Sequence, residues 1–286
     1  MTDIDSARGV ADARVARPEI RDTGLLRQSL TIVRRNLIHI KRMPEMLLDV
    51  TIQPVMFVLL FAFVFGGSIA VEGSPAGYRE WLMAGIMGQT IAFASFIVAV
   101  GLTADIDKGI VDRLRSLPIN PAAVLVGRSL SSLLHSSIGI VIMSFTGLAI
   151  GWRIREGFLD AVLAYVLLLL WGFAMIWVGI LVGSTMRSVE AVNGLMFAVM
   201  FPITFLANTF APTEGMPSWL LAVAEWNPLS SLVQAVRELW GNDLPVAPDA
   251  AFPLQHPVES TLIWTVVIVA VMAPLAIRAF RRRTQD

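Results

Sequence analysis

Six stretches of about twenty apolar residues, each without an acidic or basic side chain, divide the chain at about 50–70, 82–104, 129–151, 161–186, 191–210 and 260–277. A hydrocarbon core about 30 Å thick is crossed by roughly 20 residues of helix, so each stretch predicts a transmembrane span. From Gly24 to Leu48 the pattern changes. Leu26, Leu30, Val33, Leu37 and Ile40 recur at three to four residues, with Arg27, Arg34, Arg35, Lys41 and Arg42 on the other positions. That period predicts an amphipathic helix lying on the membrane interface and ended near Pro44. Segment 211–259, between the fifth and sixth stretches, is rich in Pro. Within it Leu229, Leu232, Val233, Val236, Leu239 and Trp240 keep a helical period, so one or two short helices are expected on the outer end of the bundle. Residues 1–23 are polar and read as a disordered tail, and 281–286 as a second short tail. The fold class that follows is an all-α integral membrane protein.

Composition agrees with this reading. Of 286 residues 56% are hydrophobic and 15% charged, too little polar surface for a water-soluble globule of this size. The first stretch begins too far from Met1 to be the apolar core of a cleavable leader, so it is expected to stay in the protein. Formal net charge is zero, but the zero conceals a separation. If both termini face the cytoplasm, 18 of the 22 Arg and Lys fall on that side, leaving only Arg79, Arg153, Arg155 and Arg237 opposite. The two faces then carry +6 and −6, and the positive-inside rule selects this orientation. No basic domain offers itself to nucleic acid. No repeat is visible that would support an inverted-repeat transporter.

Several chemistries are missing. With no cysteine, thiolate catalysis and zinc–cysteine sites are excluded, and His39, His135 and His256 have no ligand spacing. Neither Lys41 nor Lys108 follows a glycine, so the chain has no phosphate loop for ATP. An ion-coupled pump usually keeps charged groups inside its spans despite a cost of about 2.5–3.5 kcal/mol each, whereas these stretches keep none. His135 is the titratable side chain well inside a stretch. Gln89, Ser95, Ser136, Asn193, Thr204 and Asn208 are the other polar groups there. They read either as hydrogen-bonding glue between helices or as the lining of a substrate path, for which Gln89, Ser95, His135, Asn193 and Asn208 are the candidates.

The loop between the second and third stretches carries the most information. In Asp105–Pro118 the apolar Ile106, Ile110, Leu114 and Leu117 step by about one turn, among Asp105, Asp107, Lys108, Asp112, Arg113 and Arg115. A short helix is predicted, stopped by Pro118 and Pro121, with a greasy side toward the membrane and a charged side toward the cytosol.

The run Asp105–Arg128 resembles the type 2 ABC exporter permeases of the daunorubicin-resistance kind. Other segments resemble the same family: Arg35–Asn36 with Lys41-Arg-Met-Pro-Glu45, Gln53–Phe57, Phe65–Gly67, Asn208–Pro217, and Trp219 with Glu225–Pro228. The resemblance covers about 24–280, as an ABC-2 type transmembrane domain. It implies a bacterial plasma-membrane permease with no cofactor of its own. A separate ABC ATPase would bring ATP and Mg, and a second permease copy would complete the exporter. The loop becomes a coupling helix held by the ATPase through Asp105, Asp107, Lys108, Gly109, Asp112, Arg113 and Arg115. The expected cargo is a hydrophobic drug, antibiotic or lipid. A polysaccharide or complex-lipid exporter of the same architecture, and a membrane scaffold that transports nothing, remain as alternatives.

Overall fold

The computed structural model describes residues 52–66, 77–109, 121–211, 213 and 215–283, and all its regular structure is helical. The amphipathic segment 24–48, the tail 1–23, residues 284–286 and most of the charged loop lie outside the described residues, while 281–283, expected as part of the second tail, continue the last long helix. Helix α1, Ile52–Leu59, runs into a π-helical segment Leu60–Phe65. The long helices are α2 (Tyr78–Asp107), α3 (Pro121–Ala149), α4 (Phe158–Thr185) and α5 (Val189–Leu206). After them come α6 (Ser218–Glu225), α7 (Pro228–Trp240), α8 (Phe252–Gln255) and the last long helix, α9 (Pro257–Arg283).

Five helices, α2, α3, α4, α5 and α9, are long and apolar enough to cross a membrane. The first expected stretch, 50–70, is a shorter apolar helix among the described residues, Ile52–Phe65, with its flanks outside them. Three short helices, rather than one or two, fill the segment between α5 and α9. Local chemistry sets several of the ends. Asn227 caps α7 by accepting from the Leu229 amide at 2.9 Å, with Pro228 in the first turn, and Gly241 at φ 65 closes it. Ser188 caps α5 by accepting from the Ala191 amide.

Helices α2 and α4 form the centre. Their most apolar windows are 72% and 61% buried, against 22% for each of α3, α5 and α9. The two helices touch through small residues: a Cβ on Gly179 would stand 2.1 Å from the Ser95 carbonyl oxygen, and one on Gly183 2.7 Å from that of Ala99. Small residues at this spacing let two backbones meet, which is how helices associate where lipid removes any hydrophobic drive between them. Around this pair, α9 packs Ala276 and Phe280 against Ile176, Trp177 and Ile180 of α4. The outer faces of α3, α5 and α9 present Phe145, Phe197, Phe201, Ile263 and Val266, an apolar surface suited to a hydrocarbon solvent.

Candidate functional site

The charged loop is rooted in an ionic staple. Asp105 and Asp107 occupy the last turn of α2, Lys108 is its C-cap, and Gly109 takes φ 66. The Lys108 and Gly109 amides donate to the carbonyls of Ala104 and Ile106, a C-terminal turn that favours glycine at the left-handed position. Asp105 and Asp107 of the expected loop helix therefore belong to the end of α2, with Gly109 at the corner after it, and residues 110–117 lie outside the described residues. Asp112, Arg113 and Arg115 lie outside the described residues.

The two carboxylates are engaged within the chain. Asp105 accepts from Nη1 of Arg128 on α3, and a Cβ on Gly101 would come within 2.7 Å of the Arg128 guanidinium. Asp107 accepts from Nη2 of Arg283 at 3.3 Å. Nη1 of Arg283 also donates to the carbonyls of Gly183, at 3.1 Å, and of Met186, the C-cap of α4. A cation here meets the negative end of the α4 dipole. One cluster thus ties the same-side ends of α2, α3, α4 and α9. Arg283→Met is expected to cost about 1 kcal/mol, because both partners are partly exposed. Thermal unfolding of the detergent-extracted protein measures this loss.

The five residues expected to line a path do not converge. Gln89 is buried on α2 and lines a cavity of about 70 Å³ between α1, α2 and α3, with Gln53, Phe57, Phe93 and Ser136. Ser95, two turns on, turns its backbone to α4, while its Oγ donates to the Ala92 carbonyl at 2.6 Å and lies 3.9 Å from Met200 Sδ on α5. Its role is the close crossing with Gly179. His135 is half-buried on α3 and Asn193 half-buried on α5, and neither lines that cavity. Asn208 sits beyond α5, where its backbone amide donates to Ser230 Oγ at 3.3 Å.

Asn208 belongs to a second polar cluster at the far end of the bundle, around α7. Arg237, 1% exposed, stacks its guanidinium 3.5 Å from the Trp81 ring and donates to the carbonyls of Trp81 at 3.0 Å and Asn208 at 2.8 Å. Beside it, Glu80 accepts from Arg155 Nε at 2.7 Å and Nη2 at 3.0 Å, and from Asn242 Nδ2 at 3.1 Å. Asn242 Oδ1 in turn accepts from Trp152 Nε1 at 2.9 Å. The hydrogen bond and charge of Glu80 hold Arg155 still more firmly protonated than an ordinary arginine. Burial pushes the Glu238 carboxyl up, against a hydrogen bond from Gln234 that lowers it. A cavity of about 320 Å³ opens beside Arg237, walled by Leu221, Glu225, Leu244 and Leu254.

From sequence Arg237 falls in the segment between the fifth and sixth stretches and Glu80 just before the second, and neither is expected at a site. One signal was present: Leu229, Val233 and Arg237 fall at four-residue steps, so the arginine lies on the helix's apolar stripe. Among the described residues no group of three His, Asp or Glu side chains is arranged to hold a metal ion.

The ABC-2 type transporter family model matches residues 27–239. The chain is 32% identical over 255 residues to the daunorubicin resistance ABC transporter permease protein DrrB1 of Streptomyces coeruleorubidus, covering 89% of this chain and 86% of that one. It is 24% identical over 237 residues to the probable doxorubicin resistance ABC transporter permease protein DrrC of Mycobacterium tuberculosis, covering 80% and 79%. The putative transport permease ycf38 of Cyanophora paradoxa shares 22% over 219 residues, 76% of this chain and 75% of its own.

Proposed function

Since the chain belongs to the ABC-2 type transporter family, we propose that it is the membrane permease of an exporter that moves a hydrophobic drug or antibiotic of the daunorubicin kind. ATP is hydrolysed by a separate ABC ATPase carrying the phosphate loop and Mg that this sequence lacks. Two permease copies sit in a bacterial plasma membrane, both termini cytoplasmic, in the orientation that the positive-inside rule favours.

The observation that carries the reading is the staple at the root of the loop. Asp105 and Asp107, the last acids of α2, are bonded to α3 and α9, and Arg283 carries the link to the end of α4. A load applied to the loop therefore reaches four membrane helices together instead of bending one. In this scheme the ATPase grips the outer part of the loop, Lys108, Asp112, Arg113 and Arg115, while Asp105 and Asp107 pass its movement inward. ATP-driven closure of the ATPase pair moves the bundle as a rigid body and alternates access. Charge along the gripped part fixes orientation and partner choice more than affinity.

Exchanging the charges, Asp112→Arg with Arg113→Asp, tests it. Like charges brought together across such an interface are strongly unfavourable, so ATP-dependent uptake into inverted vesicles is expected to fall at least roughly tenfold with the permease still inserted. Uptake at the wild-type rate would remove the coupling role from this loop.

A further inference from the structure

The cavity between α1, α2 and α3 contains a polar side chain that the fold does not use. Gln89 is 8% exposed and sits eleven residues into α2, remote from both charged clusters. Among the described residues its amide forms no hydrogen bond within the chain, although it lines the cavity. Its neighbour Thr90, on the same wall, is satisfied by the Ile86 carbonyl at 2.7 Å. The amide opens onto the cavity instead of into packed protein, so a molecule seated there can reach both its donor and its acceptor.

The surroundings define what would pair it. Gln53 on α1 and Ser136 on α3 bring a second amide and a hydroxyl to the same walls, and among the described residues none that lines the cavity is charged. Phe57 and Phe93 offer aromatic surface for a flat ring. An amide presents a donor and an acceptor together, so it suits hydroxyl and carbonyl groups alike. The volume of about 70 Å³ admits one edge of a ring system, while Gln53 and Ile97 at the rim are exposed and leave room for the remainder outside. A lipid chain would fill the space yet leave the amide unpaired.

We infer that this cavity is a cargo subsite for an apolar ring compound bearing hydroxyl or carbonyl groups, which Gln89 reads by hydrogen bonding. The inference rests on the export reading and deepens it, since it names the cargo chemistry and a residue that selects it.

The test uses the full permease with its ATPase in inverted vesicles and daunorubicin, a planar quinone carrying hydroxyl groups, as the probe. Gln89→Leu is expected to lower ATP-dependent uptake about tenfold, the scale of one well-placed hydrogen bond, and Gln89→Asn to recover part of it. Without daunorubicin, Gln89→Leu should melt at a higher temperature than the wild type, because it removes an unpaired amide. A merely structural glutamine would shift the melting temperature the other way. Equal uptake by wild type and Gln89→Leu overturns the subsite and leaves the export reading standing. So does a lower melting temperature, which would show the amide satisfied elsewhere in the assembly, for instance by a second copy. Wild-type vesicles that move no daunorubicin sink the daunorubicin-type export reading and the subsite with it.

Discussion

Gly179→Val should leave little folded permease in the membrane. A Cβ at this position would lie 2.1 Å from the Ser95 carbonyl oxygen and 3.0 Å from the Ser95 Cα, atoms of a helix backbone that cannot swing aside as a side chain can. Relief requires α2 and α4 to separate along their whole crossing, including the second close approach at Gly183. The cost is expected to reach roughly 3 kcal/mol, the upper part of the range for overpacked sites. Both helices are central, so the loss spreads to every helix packed on them. The yield of monodisperse protein after detergent extraction, with its melting temperature, measures this. Gly194→Val on α5, where a Cβ meets no atom within 4 Å, is the matched control and should behave as the wild type. Equal melting temperatures for the two variants would mean that the crossing is looser than described.

Arg237→Met should be nearly as damaging, by a different route. The substitution keeps a long apolar stem but removes the cation over Trp81 and the donors to the Trp81 and Asn208 carbonyls. Two charge-assisted hydrogen bonds are together worth roughly 3 kcal/mol or more, and the stacking adds to that. Arg237→Lys should recover little. An ammonium is a point charge that cannot lie flat on the ring while its donors reach two separate carbonyls. Thermal unfolding in detergent is the readout, with Arg79→Met for comparison. Arg79 is exposed and lies over Phe63 at 4.7 Å, so its loss should shift the melting temperature little.

Length and hydropathy made the long helices readable because a bilayer imposes one requirement, a run of apolar residues long enough to cross it. The ends were harder. The second stretch begins at Leu82, yet α2 starts at Tyr78 and takes in Glu80, which is paired with Arg155, a residue 75 positions away that no window includes. The third likewise begins at Ser129, yet α3 starts at Pro121 and takes in Arg128, which is paired with Asp105. The fifth was carried to Phe210, but the helix stops at Leu206. Ala207, Asn208, Thr209 and Phe210 are buried beyond its end, where Gly85 of α2 lies under the Thr209 carbonyl and the Asn208 amide meets Ser230 of α7. Of the candidate path residues, Gln89 and Ser95 lie on one helix with different neighbours. Only tertiary packing separates the glue from the cavity, because composition is blind to which way a helix is turned.

The arginine on α7 also bears on how the chain assembles in the membrane. A helix that carries Arg237 in the middle of its apolar stripe is poorly suited to entering lipid alone, and at 13 residues it is too short to cross. Its partners at Trp81, Gly88 and Asn208 are all synthesised before it. The guanidinium can therefore meet its ring and carbonyl partners before α9 is made. Helix α9 follows α7 and α8 in the chain, and it closes against both α7 and an α4 that is already in place.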